Sequence, residues 1–511
     1  MTNVQNKIQA TKTVQHCSLK LFSYLPLIIL LFGILIRLVQ YISNRSLWAD
    51  EASIALNITH RSYLELLLPL DHNQAAPPGF LWMEKLALQV FGNNEYAFRL
   101  FPLIAGIISL VAFYQLGQWA VSPIAFPIAM TLFACLWYPF YYATEAKPYS
   151  SDVMVALLLS LLLVTLRGRI LRKAVVLLLG IAGTISMWFS YPAIFTLGGV
   201  EIANLITAPK GKWKTILINR WIAYYIWIIS FGVLYFWVIA GAMQNQALQN
   251  SWSPEYPKFI FDIPWLLESF KQFFSNPLGF HGISEEAAIV AFVIGFIAFF
   301  RQNRIKLLIL TSPVLATLVA AYLHKYPFRT RLIFFLTPFF ILIISEGIAY
   351  LLSQIKHRKY IAIIGIAIAC IVLLPPSVEA GRLIFHPKVK RAMRPVVEYT
   401  RTHQRPGDMI YVDAGSSPDQ FKYYAEKYGY SEFDYIFGYN DFLISDQFSE
   451  QRWKDFQYQS GKLKRGQRVW FVFSGLNKQE KILVKPRLDQ LGQELDRYEQ
   501  SGALTYLYQL K

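Results

Sequence analysis

Long apolar segments constrain the fold of this chain more than any other feature. About eleven of them follow one another between residues 24 and 376, and we read each as a helix that crosses the membrane. They lie near residues 24–42, 97–116, 121–141, 150–166, 174–190, 192–207, 221–241, 287–300, 307–323, 332–353 and 361–376. Of the 511 residues, 55% are hydrophobic and only 16% are charged, which argues against a soluble multidomain protein. The sequence therefore predicts a polytopic α-helical membrane protein.

Positive charges cluster in alternate loops between these segments. With the N-terminus in the cytoplasm, the clusters fall inside, as the positive-inside rule requires. They are Arg167, Arg169, Arg172 and Lys173; Lys210, Lys212, Lys214 and Arg220; Arg301, Arg304 and Lys306; and Lys356, Arg358 and Lys359. Topology thus explains the net charge of +17 better than a nucleic-acid partner, since no run of Lys and Arg interleaved with aromatics occurs. The loop 43–95 and the region after residue 376 then lie outside. A kink at Tyr191 and Pro192 within one long helix would change this count of spans.

The N-terminus and the cysteines add two expectations. Residues 1–20 are polar, and no small-residue cleavage site follows the first apolar segment, so we expect that segment to be a retained anchor. Cys17, Cys135 and Cys370 lie far apart in the sequence. This spacing predicts neither a disulfide framework nor a thiolate metal site.

Two adjacent carboxylates, Asp50 and Glu51, follow the first apolar segment in the stretch R-S-L-W-A-D-E-A-S. Apolar residues at helical spacing come next, which predicts a helix lying along the membrane interface within the outer loop 43–95. The helix dipole alone favours carboxylates in the first turn of such a helix. The alternative is an acid pair with a catalytic role at the edge of a membrane cavity, and the other motifs of the chain favour this second interpretation.

Three short motifs carry a resemblance to a known family. They are D-E after the first apolar segment, P-P-G-F at residues 77–80 and G-N-N-E-Y-A-F-R-L at residues 92–100. In these motifs the chain resembles the dolichyl-phosphate-mannose protein mannosyltransferase family and its bacterial relatives. These are membrane glycosyltransferases of the GT-C class, related to the aminoarabinose transferase that modifies lipid A. Where the family has H-P-P-L-Y, this chain has His72 separated from the first proline, Pro77, by four residues, and it has Gly79 in place of Leu. The resemblance implies a GT-C fold, with His72 and Arg99 binding the acceptor or shaping the site.

A second charged segment, Y-Y-A-T-E-A-K-P-Y-S, lies between the third and fourth apolar segments. It is similar to the R-E-A-R-P-Y segment of the family, with Glu145 and Lys147 at the acidic and basic positions. A solvated turn would also carry such residues. Charged side chains at the rim of a membrane are costly unless they form ion pairs or take part in function, which favours a functional role for Glu145 and Lys147.

The short outer loop H-K-Y-P-F-R-T-R, residues 324–331, departs from the positive-inside pattern. Arg329 and Arg331 are suited to bind a lipid phosphate, because a guanidinium group donates charge-assisted hydrogen bonds to phosphate oxygens. Pairing with lipid headgroups or with the acidic outer loop is the alternative. The resemblance places a basic residue for the donor phosphate in this general region.

The chain becomes polar after residue 376. The stretch R-P-G-D-M-I-Y-V-D predicts a turn and a strand, P-D-Q-F-K-Y-Y-A-E-K-Y-G a helix, and R-V-W-F-V-F another strand. Residues 485–498 have helical spacing, and L-T-Y-L-Y-Q-L closes the chain with strand alternation. We therefore expect a small α/β extracytoplasmic domain over residues 377–511 after a transmembrane GT-C domain over residues 1–376. No nucleotide-binding motif occurs in it.

Together these features predict an enzyme that transfers a sugar from a polyprenyl-phosphate donor to a hydroxyl group of a protein, lipid or glycan outside the cytoplasm. Such a reaction needs a base for the acceptor proton and positive charge for the departing phosphate. We assign Asp50 as the base, Glu51 and Glu145 as further catalytic acids, and Lys147, Arg329 and Arg331 as phosphate ligands. A divalent metal ion held by Asp50, Glu145 and His72 is left open, and no other cofactor is implied.

Two other classes of protein have similar features. A transporter or lipid flippase would also have many spans and charges at the rim, but it often shows repeated halves, and no internal repeat is visible here. A cell-envelope scaffold would tolerate replacement of Asp50. The large outer domain and the outer carboxylates favour an enzyme.

Overall fold

The structure is a computed structural model that describes residues 24–209, 211–356, 358–413, 418–431, 433–438 and 463–511. The polar N-terminal residues, Cys17 and Lys210 lie outside the described residues. Cys135 is a buried free thiol and Cys370 an exposed one.

Helices make up the chain as far as Phe385. In order they are α1 (Tyr24–Ile42), α2 (Ala49–His60), α3 (Pro78–Phe91), α4 (Glu95–Ala120), α5 (Ala125–Cys135), α6 (Trp137–Tyr141), α7 (Tyr149–Thr165), α8 (Lys173–Phe189), α9 (Ala193–Ile206), α10 (Trp213–Leu234), α11 (Ala240–Met243), α12 (Gln246–Trp252), α13 (Ile263–Phe273), α14 (Ile283–Gln302), α15 (Arg304–Tyr322), α16 (Thr337–Ser353) and α17 (Lys359–Phe385). Single π-helical turns follow α10 and α13, and a 3₁₀ segment, Thr330–Leu336, leads into α16.

Each predicted apolar segment coincides with one of these helices, except residues 121–141, which contain both α5 and α6. Among the described residues, seven helices are long and apolar enough to cross a membrane, and eight if α5 and α6, which meet at a 56° bend, form one broken span. Three shorter apolar helices, α7, α8 and α9, account for the remaining segments. The protein is therefore an integral membrane protein, while the count of about eleven spans stays a prediction. The break between α8 and α9 shows that Tyr191 and Pro192 separate two helices.

Close helix contacts hold this bundle together. Gly295 of α14 and Gly347 of α16 face each other, and a Cβ atom on either would meet a backbone oxygen of the other helix at 1.9 Å. Small residues allow this approach, which in a membrane replaces the hydrophobic effect as the driving force for packing. At the bend between α5 and α6, the buried Arg37 of α1 donates hydrogen bonds to the carbonyl groups of Phe133 and Pro139. These bonds satisfy carbonyl groups that the broken helix leaves without a partner.

The C-terminal region contains a five-stranded mixed sheet with the strand order β2-β1-β3-β5-β4. Its elements are α18 (Met393–His403), β1 (Met409–Asp413), α19 (Pro418–Lys427), β2 (Tyr435–Gly438), β3 (Arg468–Ser474), α20 (Lys478–Leu491), β4 (Gly492–Gln500) and β5 (Ala503–Leu510). Strands β1, β2 and β3 are parallel, whereas β5 is antiparallel to both β3 and β4. The small sheet domain that the sequence predicts is thus confirmed.

Two boundaries differ from the prediction. The helix expected over residues 485–498 ends at Leu491, and β4 begins at Gly492, because the following residues pair with β5 across a turn that has Gly502 at a positive φ of 71°. Helix α17 continues through Pro375 and Pro376 to Phe385, beyond the expected boundary at residue 376. Prolines are tolerated in membrane helices when neighbouring groups satisfy the freed carbonyls.

The sheet shares a hydrophobic core with the outer loop. Apolar side chains of α2, α3 and α4 pack in one continuous cluster with side chains of α18, β1, α19 and β3. Glu95 at the start of α4 forms ion pairs with Arg394, at 3.1 Å, and with Lys427, at 3.0 Å. The backbone N–H of Leu47 donates to the hydroxyl group of Tyr424 at 2.7 Å. The sheet domain is therefore packed directly against α2, α3 and the start of α4.

Candidate functional site

A cavity of about 960 Å³ lies between α2, the start of α7 and the 3₁₀ segment before α16. One part of its wall is polar and the other is apolar. The polar part includes Asp50, Ser53, His72, Gln74, Lys147, Asp152, Arg329 and Arg331. The apolar part includes Phe195, Phe231, Tyr235, Ile239, Met243 and Leu248, most of them on α9 and on α10 and its π-helical extension. A ligand with a charged head and an apolar tail matches these two surfaces.

Asp50 stands in the first turn of α2, and its side chain is 25% exposed. Arg331 Nη1 donates a hydrogen bond to Asp50 Oδ2, which joins α2 to the 3₁₀ segment Thr330–Leu336. The guanidinium group of Arg331 also lies 5.8 Å from the ring centroid of Tyr149. Asp50 and Arg331 thus place opposite charges side by side in the cavity wall.

Glu51 lies behind this wall and is fully buried. Arg99 donates to both of its carboxylate oxygens, Nε to Oε1 at 2.9 Å and Nη2 to Oε2 at 2.6 Å, and the N–H of Ala146 donates to Oε1 at 2.8 Å. Burial opposes the charged form of Glu51, but the Arg99 and Arg45 charges outweigh it and hold the pKa of Glu51 below its usual value. The Glu51 and Arg99 pair therefore binds α2, α4 and the segment before α7 together.

Glu145 and Lys147 lie in that segment, and only Lys147 faces the cavity. Glu145 is buried and accepts a hydrogen bond from Trp48 Nε1 at 2.8 Å. Burial, with the Glu51 charge adding to it, raises the pKa of Glu145 to about 7. Lys147 Nζ donates to Gln74 Oε1, and burial lowers the pKa of Lys147 to about 8 although the Asp50 charge raises it.

Arg329 lines the cavity but is held by acidic side chains. Its Nη1 lies 2.7 Å from Glu255 Oε2, its Nη2 lies 2.9 Å from Glu268 Oε1, and its Nε donates to Gln272. Each nitrogen of this guanidinium group thus has a partner from α13 or the segment before it. Arg331, in contrast, pairs with a single carboxylate among the described residues, and that carboxylate, Asp50, is itself in the cavity wall.

His72 also lines the cavity, and its Nδ1 lies 2.8 Å from Oδ1 of Asp419 on α19 of the sheet domain. Ser53 Oγ donates to Oδ2 of the same aspartate at 2.6 Å. Of the eight residues that the sequence singles out, the structure brings Asp50, His72, Lys147, Arg329 and Arg331 to the cavity. It places Glu51, Glu145 and Arg99 behind the wall.

Sequence reasoning missed three acids, of which Asp152 and Glu84 are buried and Asp419 is partly exposed. Asp152 lines the cavity in the first turn of α7, and Asp419 reaches the site from the sheet domain. Glu84 of α3 is fully buried, and neither carboxyl oxygen has a hydrogen-bond partner among the described residues. Burial first, and then the Glu51 charge, raise the pKa of Glu84 well above its usual value. Only Asp152 had a sequence signal, since it stands just after the K-P-Y-S segment.

The structure does not group the three residues proposed as metal ligands. Within the described ranges, no cluster of three or more His, Cys, Asp and Glu side chains could hold one ion. Glu145 is turned away from the cavity that Asp50 and His72 line. These residues therefore do not fit the divalent metal site that the sequence left open.

Comparison with known proteins identifies the fold. No family model matches the sequence, and no curated protein matches it. The solved structure of ArnT from Cupriavidus metallidurans in the apo state is 12% identical, with a TM-score of 0.51 over 93% of this chain and 97% of ArnT. ArnT bound to undecaprenyl phosphate is also 12% identical, with a TM-score of 0.50 over 96% of this chain and 97% of ArnT. The archaeal oligosaccharyltransferase AglB from Archaeoglobus fulgidus, in complex with an inhibitory peptide and a dolichol-phosphate, is 10% identical, with a TM-score of 0.51 over 95% of this chain and 74% of AglB. These similarities confirm the predicted GT-C fold.

Proposed function

We propose that this protein transfers a sugar from a polyprenyl-phosphate donor to a hydroxyl group of an acceptor at the outer face of the membrane. The observation that carries the proposal is one cavity in which Asp50 faces Lys147 and Arg331, next to a wall of apolar residues from α9 and α10. The undecaprenyl phosphate bound to ArnT and the dolichol-phosphate bound to AglB support a polyprenyl-phosphate ligand in a fold of this kind.

In the proposed reaction, the acceptor oxygen attacks the anomeric carbon of the donor sugar. Asp50 takes the proton of the acceptor hydroxyl group, and the bond between the sugar and the phosphate oxygen breaks, which leaves the polyprenyl phosphate. Arg331 and Lys147 stabilise the charge that develops on the departing phosphate. The polyprenyl tail lies against the apolar wall, while Glu51 and Arg99 fix the position of Asp50 by anchoring α2.

The outer location rests on the loop charges. The clusters of Lys and Arg in alternate loops put the N-terminus inside and both α2 and the sheet domain outside. A sugar donor outside the cytoplasm has to be carried by a lipid in this scheme, because the chain has no nucleotide-binding motif.

The general test of the proposal compares the envelope glycans, lipids and glycoproteins of a deletion strain with those of the parent strain by mass spectrometry. We expect one sugar modification to disappear, and we expect purified protein to restore it when it is added to deletion-strain membranes. If the purified protein binds polyprenyl phosphate but restores no modification, the proposal fails and a lipid transporter becomes the better interpretation.

Replacement of Arg331 by glutamine should weaken binding of the phosphate ligand more than the same replacement at Arg329. A charge-assisted contact contributes about 1.5 to 3 kcal/mol, so its loss should raise the Kd about 10- to 100-fold. Arg329 already has partners on all three nitrogens, so Arg329→Gln serves as the matched control. The measurement is equilibrium binding of a synthetic short-chain polyprenyl phosphate to the purified variants. Equal effects of the two replacements would contradict the assignment of Arg331.

Binding of the same polyprenyl phosphate should weaken as the pH rises through about 8. The pKa of Lys147 is lowered to about 8, so its positive charge is present below that pH and is lost above it. In Lys147→Arg the charge persists to much higher pH, because arginine keeps its proton. Titrating the Kd from pH 6 to 9.5 checks this expectation. An alkaline loss of affinity that is identical in wild type and Lys147→Arg would show that another group causes it.

A further inference from the structure

Helix α19 of the sheet domain packs against the outer helix α2 and makes two contacts of the same chemical type. Glu426 Oε2 lies 2.8 Å from His60 Nε2, and Asp419 Oδ1 lies 2.8 Å from His72 Nδ1. The two carboxylates stand near opposite ends of one helix, Pro418–Lys427. They differ in position, since His72 lines the cavity and His60 does not, and the His60 contact is also the more exposed of the two.

The contact at Asp419 includes a second group of the cavity wall. Ser53 Oγ donates to Asp419 Oδ2 at 2.6 Å, and Ser53 lies one turn after Asp50 on the same face of α2. Burial opposes the charged form of Asp419, but hydrogen bonds from His72 and Ser53 hold the pKa of Asp419 below its usual value. An aspartate from the sheet domain therefore presents a negative charge to His72 beside the proposed base.

The carboxylate determines how the His72 ring can be used. A carboxylate can only accept, so the Nδ1 atom that faces it carries the proton. In the neutral ring, Nε2 then has a lone pair and is the nitrogen left to meet a ligand in the cavity. Because Asp419 holds the ring at Nδ1, it sets both the tautomer and the orientation of His72.

The backbone conformation of the turn that carries His72 is also maintained by contacts with neighbouring groups. His72 and Asn73 have positive φ values of 60° and 52°, a conformation that residues other than glycine adopt only when their contacts maintain it. The next residue, Gln74, donates from Nε2 to the His72 carbonyl at 3.2 Å and accepts from Lys147 with Oε1. One tight turn thus connects Asp419 of the sheet domain with the lysine that faces the cavity.

We propose that Asp419 is a positioning residue supplied by the sheet domain, and that it holds His72 so that Nε2 accepts a hydrogen bond from the hydroxyl-bearing acceptor. This inference rests on the proposed function and adds an acceptor subsite to it. Asp50 still takes the proton, while His72 orients the acceptor and Lys147 and Arg331 bind the donor phosphate. The sheet domain therefore takes part in acceptor binding and not in donor binding.

The test uses three single variants of the full-length protein. Asp419→Asn keeps the size of the side chain and can still bond to Ser53, but it removes the charge. His72→Asn keeps an N–H group that can bond to Asp419, tolerates the positive φ and removes Nε2. Glu426→Gln is the matched control, because it disturbs the other histidine contact of α19, the one with His60 of α2, which lies outside the cavity.

Product formation is measured with a donor lipid extract at saturation and increasing amounts of deletion-strain membranes as the acceptor. Both Asp419→Asn and His72→Asn should raise the half-saturating amount of acceptor roughly tenfold, as expected for one lost hydrogen bond. The double variant should be no worse than either single variant, since both changes remove the same contact. Binding of short-chain polyprenyl phosphate should stay at the wild-type level in all of them, and Glu426→Gln should resemble wild type throughout.

The outcomes separate this inference from the proposed function. Wild-type protein that neither binds polyprenyl phosphate nor forms product would overturn the proposed function itself. An active wild type with acceptor half-saturation unchanged in His72→Asn would overturn the acceptor subsite alone. The same would follow if Asp419→Asn and Glu426→Gln reduced product formation and phosphate binding alike, since α19 would then only dock the domain. Thermal unfolding of each variant identifies a folding defect, and His72→Asn decides the matter if Asp419→Asn does not fold.

Discussion

Asp50→Asn is expected to lower sugar transfer by about two to four orders of magnitude, the usual contribution of a general base, with little change in thermal stability. Asparagine has the shape of aspartate and can still accept the hydrogen bond from Arg331, but it cannot take the proton of the acceptor. The measurement is the initial rate of product formation by purified protein added to deletion-strain membranes. Binding of polyprenyl phosphate should persist, because Arg331 and Lys147, the proposed phosphate ligands, are unchanged in this variant.

Asp71→Asn is the matched control for this experiment. Asp71 lies in the same outer loop and also pairs with an arginine, Arg61 at 2.7 Å, but its side chain is 69% exposed and lies outside the cavity. Its replacement should leave transfer unchanged. Near-normal turnover of purified Asp50→Asn would refute the general-base assignment, and an equal loss in Asp71→Asn would indicate a general effect of charge in the loop.

Glu51→Gln, unlike Asp50→Asn, should cause a large loss of stability. Breaking a buried ion pair by removing one partner costs about 3 to 5 kcal/mol, because the remaining charge is buried without compensation. Here the remaining charge is Arg99, which donates to both carboxylate oxygens of Glu51. Thermal or denaturant unfolding in detergent measures the change. Since the pKa of Glu51 is lowered, its stabilisation should be complete above the ordinary glutamate value and be lost as the pH falls through the lowered value.

Two further variants make the Glu51 prediction specific. Adding Arg99→Met to Glu51→Gln should recover part of the lost stability, since it removes the uncompensated charge. Glu268→Gln, which removes a 69% exposed partner of Arg329, should change stability little. If Glu51→Gln is as stable as Glu268→Gln, the pair does not anchor α2 in the way described.

The membrane helices could be predicted from the sequence because hydrocarbon imposes a simple requirement. A helix that crosses it needs a long run of apolar residues, and such runs are visible without any knowledge of tertiary contacts. The limits of these helices were less predictable. The last apolar segment was expected to end at residue 376, although α17 continues through Pro375 and Pro376 to Phe385. The same local rules misplaced β4, whose conformation depends on pairing with β5.

The candidate site was only partly predictable, because sequence position does not tell which way a side chain points. Glu145 and Lys147 stand two residues apart, yet one is buried behind the wall and the other faces the cavity. Arg329 and Arg331 look equivalent in the sequence, but the partners of Arg329 come from α13 and the residues before it, where no motif marks them. Asp419 could not be found at all, since it belongs to a segment far along the chain from His72.

The shared core between the outer loop and the sheet domain has a consequence for evolution and for the construction of chimeras. Side chains of α2, α3 and α4 and those of α18, α19 and the sheet form one cluster, with Glu95 paired across it to Arg394 and Lys427. A sheet domain taken from a relative would meet an unmatched surface on the recipient, so grafting it alone should give an unstable hybrid. Substitutions on the two sides are expected to occur in compensating pairs, and an exchange that moves residues 43–100 together with the sheet domain is the one that should yield a folded protein.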